Sequence, residues 1–137
     1  MNSIQIPTTE TIIALNKFIC DLAGDPHHCI DEVKIESAIN TAFYPGSAPF
    51  QHGGLAKISG ALCFYLIKGH AFVDGNKRTS ALAAITFLNI NGVDLEYQVD
   101  SRLGVNSLVA IIEKCASSAI GKDEFIQWFE IHKVILS

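Results

Sequence analysis

Two long helical patterns, Leu55 to about Lys68 and about Asn76 to Asn91, carry apolar side chains over much of their circumference and are joined by a short connection. A helix that is apolar on several sides is stable only when other elements surround it, so these two form the expected core pair of a helical bundle. The remaining apolar patterns are consistent with that constraint. Thr8 or Thr9 can cap a first helix, with Glu10 in its first turn and Ile12, Ile13, Leu15, Phe18, Ile19 and Leu22 as its inner face, ended by Gly24, Asp25 and Pro26. From about Asp31 a second helix turns Ile35, Ala38, Ile39, Ala42 and Phe43 inward. Tyr44 to Gly54, with two prolines and three glycines, reads as a loop. Gly69 suits the left-handed position closing the third helix. Val93 to Gln98 reads as a short extended connection without a partner strand. Leu103 to Cys115 and Asp123 to Leu136 supply two further helices, with Gly121 and Glu124 spaced as an N-cap and its partner.

The fold class expected is all-α: one compact domain over residues 1–137, of five or six helices, with no internal repeat or linker. Hydrophobic residues make up 49% of the chain and charged ones 18%, enough for a packed core and too apolar for disorder. A net charge of −4 argues against direct nucleic-acid binding, which needs a broad basic surface. Cys20, Cys29, Cys63 and Cys115 form no CxxC pair, and three of them fall in apolar helical patterns, so all four are read as reduced thiols. The start of the chain has no signal-peptide pattern and no apolar run reaches the ~18 residues of a membrane span. A cytoplasmic protein without a membrane association is expected.

Function shows through in the connection between the core helices, His70-Ala71-Phe72-Val73-Asp74-Gly75-Asn76-Lys77-Arg78. Lys77 and Arg78 sit where a helix begins, the end whose macrodipole repels cations. Their presence there implies a negative ligand. Gly75 can take positive φ, turning the chain so that the amides of Asn76, Lys77 and Arg78 form an anion-binding nest at the helix start. Arg78 offers a bidentate fork to phosphate and Lys77 a point charge. Asp74 is the acid of this stretch, and one carboxylate together with substrate phosphates suffices for Mg²⁺. His70 supplies an imidazole, the side chain suited to taking a proton from an attacking hydroxyl near neutrality. Phe72 is the apolar pin, expected to be buried and to hold the loop against the core. A base, a metal carboxylate and an anion nest within nine residues describe group transfer from a nucleoside triphosphate. A Walker A loop is excluded, because Gly69 to Gly75 is one residue too long and the lysine does not follow the second glycine.

The stretch resembles the core motif of the Fic/Doc family, His-x-Phe-x-(Asp/Glu/Asn)-(Gly/Ala)-Asn-(Gly/Lys)-Arg, with His70, Phe72, Asp74, Gly75, Asn76, Lys77 and Arg78 matching at every defined position. Ile35-Glu36-Ser37-Ala38 and Phe87-Leu88-Asn89-Ile90-Asn91-Gly92 look like the Doc, or death-on-curing, branch. The resemblance implies a helical domain with the motif loop between its two central helices. Classical Fic proteins carry Gly-Asn-Gly-Arg and move AMP from ATP onto a protein hydroxyl. Doc-like members carry Asn-Lys-Arg and resemble protein kinases that transfer the γ-phosphoryl group. Lys77, together with Ala71 where classical members have proline, places the chain with the second group. Implied cofactors are ATP and Mg²⁺, with His70 as base, Asp74 on the metal, and Gly75, Asn76, Lys77 and Arg78 holding phosphate.

By the same resemblance the protein is a toxin whose substrate is a translation elongation factor, elongation factor Tu being the precedent, and whose action arrests translation and growth. A separate antitoxin protein is implied, since the internal Ser/Thr-x-x-x-Glu-(Gly/Asn) inhibitory pattern is absent from the sequence. AMP transfer is the alternative reaction, and an antitoxin-binding co-regulatory module with little catalysis is the second alternative. Tyr44, Phe50 and Gln51 occupy the place of a target-docking flap, for which a simple surface connection is an equal reading. His27-His28-Cys29 reads as a polar loop rather than a metal site, and neither His52 nor His132 is assigned to catalysis.

Overall fold

The structure, a computed structural model, describes residues 4–44 and 53–136. Among the described residues there are six helices: α1 (Thr9–Ala23), α2 (Glu32–Phe43), α3 (Leu55–Gly69), α4 (Asn76–Ile90), α5 (Ser107–Ala116) and α6 (Lys122–His132). The helix starts follow from local hydrogen bonding. Thr8 Oγ1 accepts from the Thr11 amide, Asp31 Oδ1 from Val33 and Asn106 Oδ1 from Val109, at 3.2, 3.1 and 3.1 Å. Each satisfies one of the donors that a helix leaves unpaired at its first turn. Gly121 caps α6 without a side-chain bond.

Helix α3 is the axis of the bundle and packs on α2, α4 and α6. Its buried residues, Ala56, Ile58, Ser59, Gly60, Ala61, Leu62, Cys63, Leu66 and Ile67, run around most of its circumference, as the central position requires. The inner face of α2 is Ile35, Ala38, Ile39, Ala42 and Phe43, as read from the sequence. Phe43 meets Phe87 of α4 edge to face, with centroids 4.9 Å apart. All four cysteines are free thiols, three of them buried. Among the described residues no helix is long and apolar enough to cross a membrane.

Several expectations are corrected. The buried stripe of α1 is Ile12, Asn16 and Cys20, whereas Phe18 and Leu22 point outward at 57% and 74% exposure. The stripe is part polar because α1 packs against the start of α4 and its loop, not only against aliphatic core. The segment after α4 does find a strand partner: β1 (Val93–Leu95) pairs antiparallel with β4 (Lys133–Ile135). The last helix therefore ends at His132, not Leu136. There the His132 ring stacks on Trp128 and its Nδ1–H donates to the Trp128 carbonyl at 2.7 Å, after which Lys133 turns extended. Helix α5 begins four residues later than expected. Asp100 Oδ1 accepts from the Arg102 and Leu103 amides and Gly104 takes φ 67°, which makes a hairpin turn between β2 (Val99–Asp100) and β3 (Val105–Asn106).

The close approach of α3 and α6 depends on Gly60. A Cβ there would lie 3.1 Å from both the Ile126 Cα and the Phe129 ring. Backbone cannot yield as a flexible side chain can, so Gly60→Ala is expected to cost about 1–3 kcal/mol despite alanine's better helix propensity. Urea denaturation measures this, and a variant as stable as the parent would contradict the packing described.

Candidate active site

The loop between α3 and α4 is held from three directions. Its Ala71 and Phe72 are 2% and 3% exposed, so the apolar pin is buried as expected. On one side the segment before α2 runs antiparallel to it. Ile30 N–H donates to the Ala71 carbonyl at 2.7 Å, and Val73 N–H to the His28 carbonyl at 3.0 Å. His27-His28-Cys29 is a loop with exposed histidines, as read from the sequence, and it is tied to the motif. Its backbone forms a short bridge to the motif, with Cys29 opposite Phe72.

From the second side, Asn76, the first residue of α4, turns its carboxamide back onto Phe72. Its Oδ1 accepts from the Phe72 amide at 3.0 Å and its Nδ2 donates to the Phe72 carbonyl at 2.8 Å. One buried side chain, 8% exposed, satisfies both backbone groups of the pin. Leaving either group unpaired in such a place costs about 1–3 kcal/mol. From the third side, Asn16 of α1 donates to the Asp74 carbonyl at 2.9 Å and to Thr79 Oγ1 at 3.1 Å, while only 2% exposed. Gly75 takes φ 75° in this turn, and a Cβ there would meet Cys20 Sγ at 3.1 Å and Asn16 Nδ2 at 3.2 Å. Burial pushes the Cys20 thiol up from its ordinary value, an effect the Arg78 guanidinium partly offsets. It therefore packs beneath the turn as a neutral neighbour.

What this scaffold presents outward is polar. His70 closes α3 in the left-handed conformation, φ 49° and ψ 54°, a role the sequence assigned to Gly69. Gly69 stays helical where α2 comes close, a Cβ there lying 3.5 Å from the Lys34 side chain. The left-handed conformation is strained for a residue with a Cβ, and such strain concentrates at functional sites. The His70 ring is exposed, with Nε2 3.4 Å from Asn76 Nδ2, a long contact in which Nε2 accepts when it carries no proton. Asp74 Oδ1 accepts from the Gly75 amide at 2.7 Å, and the carboxylate is about half exposed. The first turn of α4 has no side-chain cap. Its leading amides have no acceptor within the helix and are free for an anion.

Lys77 and Arg78 are not left unbalanced, as the sequence alone suggested. Lys77 Nζ reaches Glu113 Oε1 of α5 at 2.9 Å. Arg78 Nη2 reaches Asp25 Oδ2 at 3.1 Å and Asp74 Oδ1 at 3.7 Å. These half-exposed pairs are worth about 0–1 kcal/mol each, similar to the repulsion from the helix start that they offset.

His70, Asp74, Gly75, Asn76, Lys77 and Arg78 line one wall of a cleft of about 630 Å³, and Leu108, Val109, Ile112 and Glu113 of α5 line the other. That size and the mixture of apolar wall and converging polar groups suit a cofactor-sized ligand. The donor set also fits a magnesium–polyphosphate complex: the half-exposed Asp74 carboxylate lies at the cleft next to uncapped amides, with Glu113 on the facing wall. Among the described residues no group of three or more His, Cys, Asp and Glu side chains is arranged to hold a metal by itself.

Of the flap candidates, Tyr44 ends α2 and is half exposed, while Phe50 and Gln51 lie outside the described residues. Sequence reasoning missed Asn16, Asp25 and Glu113. A polar residue between Ile12 and Cys20 on the inner face of α1 was the available signal for Asn16. Nothing comparable marks the two acids.

Residues 7–88 match the family model described as the Fic/DOC family. A stretch of 40 residues is 58% identical to the protein named Toxin Doc of Mycolicibacterium smegmatis, covering 29% of this chain and 31% of that protein. The chain thus matches about a third of the length of that curated relative. The family match takes in α1 to α3, the motif loop and nearly all of α4, including every side chain that shapes the loop, and stops short of α5. Spanning more than half of the 137 residues and containing the complete motif, that match shows that the chain belongs to the Fic/DOC family.

Proposed function

We propose that this protein is a Doc-like toxin that transfers the γ-phosphoryl group of ATP to a hydroxyl of a protein substrate. The observation that carries the reading is the convergence of the His70 imidazole, the Asp74 carboxylate and the uncapped start of α4 with Lys77 and Arg78 on one cleft. In the proposed step the substrate hydroxyl oxygen attacks the γ-phosphorus as its proton passes to His70 Nε2. The bond between that phosphorus and the bridging oxygen breaks, and ADP leaves with the electron pair. The long contact to Asn76 leaves Nε2 able to turn to an incoming hydroxyl. The amides of Asn76, Lys77 and Arg78, with the two side-chain cations, hold phosphate oxygens in place. Asp74 would hold Mg²⁺, which when bound neutralises phosphate charge.

Lys77 supports phosphoryl rather than AMP transfer. A glycine at this position leaves room for an α-phosphate against the backbone, and a lysine side chain fills that room. The likeness to the protein named Toxin Doc supports a toxin. We further propose an antitoxin partner, a translation elongation factor in the cytoplasm as substrate and growth arrest as the result.

Incubating the purified chain and a cell lysate with position-labelled ATP tests the reaction. Label from the γ-phosphate is expected on a protein, and label from the α-phosphate is not. Transfer of the α-label would establish AMP transfer instead, and no transfer of either would favour a co-regulatory module. His70→Ala should lower the transfer rate by about 10²–10⁴ while leaving the melting midpoint unchanged, because the exposed ring adds little to the core. Undiminished transfer by a folded variant would remove His70 from the role of base.

Arg78→Gln separates ligand binding from stability. The free protein should change by no more than about 0.5–1 kcal/mol, since two weak, exposed ion pairs and a dipole repulsion are lost together. The rise in melting midpoint on adding Mg²⁺-ATP should be largely lost. Thermal melts that showed several kcal/mol of destabilisation with the ATP-induced rise intact would make Arg78 a structural residue.

A further inference from the structure

The two cations at the start of α4 are already engaged by carboxylates from three different places: Glu113 on α5, Asp25 after α1, and Asp74 in the motif loop. Two positive and three negative side chains leave this cluster with a net charge of −1. The partial charge of about +0.5 at the helix start does not reverse that. Such a surface is a poor general receptor for anions. A bare polyphosphate entering the cleft must displace carboxylates from Lys77 and Arg78 and then remain beside them uncompensated. A polyphosphate that brings its own divalent cation meets the same carboxylates as favourable neighbours.

Among the three acids Glu113 is in the controlling position. Its bond to Lys77 spans the cleft from one wall to the other, and Glu113 lines the cleft whereas Asp25 does not. Both side chains of the pair are about half exposed, at 48% and 57%, so the bridge opens at little cost and Glu113 can swing while staying at the cleft mouth. It also lies outside the stretch that matches the family.

We infer that Glu113 is a specificity-determining residue: by holding Lys77 across the cleft it makes the site select metal-complexed triphosphate over metal-free phosphates and nucleotides. The inference rests on the proposed phosphate-binding role of this cleft, and it assigns to α5 the discrimination between ligand forms. Specificity here comes from a repulsive element rather than an added contact.

Calorimetric titration of the full chain with ATP and with pyrophosphate, each with excess Mg²⁺ and with a chelator, tests it in the parent, Glu113→Gln and Glu113→Asp. In Glu113→Gln the metal-free ligands should bind about three- to tenfold more tightly, while Mg²⁺-ATP changes by less than about twofold. Glu113→Asp keeps the charge and should keep most of the preference for the metal complex. A structural loosening of the cleft would weaken both forms together, so the ratio of the two affinities separates charge from packing. An unchanged ratio in Glu113→Gln, or equal weakening of both forms, would overturn the role of Glu113 while leaving the nucleotide site in place. If the parent chain binds neither form, the phosphate-binding role itself fails and the inference fails with it.

Discussion

The carboxamide of Asn76 pairing with both backbone groups of Phe72 is the interaction on which the rest of the site depends. It joins the end of one core helix to the start of the next through a side chain rather than through regular backbone pairing. Because Asn76 is also the first residue of α4, fixing its side chain fixes where that helix begins. The position of the helix start in turn decides where the leading amides, Lys77 and Arg78 point. Gly75 must then turn with positive φ, since the chain has only three residues in which to come from the buried pin to the helix start.

Asn16 and Thr79 extend this clamp into the interface between α1 and α4, and Ser80 is also buried, with its hydroxyl bonded to the Asn76 carbonyl at 2.6 Å. Aliphatic residues in these places would bury more apolar surface. The polar set instead ties the loop carbonyl of Asp74 to two helices, and among the described residues no buried side-chain polar atom is left without a partner. A fully satisfied network of this kind specifies one geometry. It also holds His70 in a left-handed conformation that costs about 1–2 kcal/mol for a residue with a Cβ. Strain of that size persists only where the neighbouring structure determines the backbone more strongly than the residue does.

The parts of this arrangement that are local in sequence were legible there. The inner face of α2, the central position of α3, the buried pin Phe72 and the turn at Gly75 each follow from a pattern within a few residues. The parts that were not legible depend on distant partners. Glu113 and Asp25 lie 36 and 53 positions from the cations they meet, and nothing local to either acid records that pairing. The pairing of β1 with β4 was hidden for the same reason, because Lys133–Ile135 continues an apolar helical pattern until the stacked His132 ends the helix. The face of α1 was misread because its most buried positions include an asparagine that serves the loop. Outward Phe18 and Leu22 then carried the apolar signal.

If the Asn76 clamp is what builds the motif turn, that turn exists in the free chain without a ligand to induce it. Amide hydrogen exchange of Phe72 in the nucleotide-free protein tests it most directly. The account predicts protection close to that of the core amides of α3, little changed by adding Mg²⁺-ATP, and lost in Asn76→Ala while the α3 core remains protected. Exchange of the Phe72 amide at the rate of an open loop, with protection appearing only on addition of nucleotide, would contradict it.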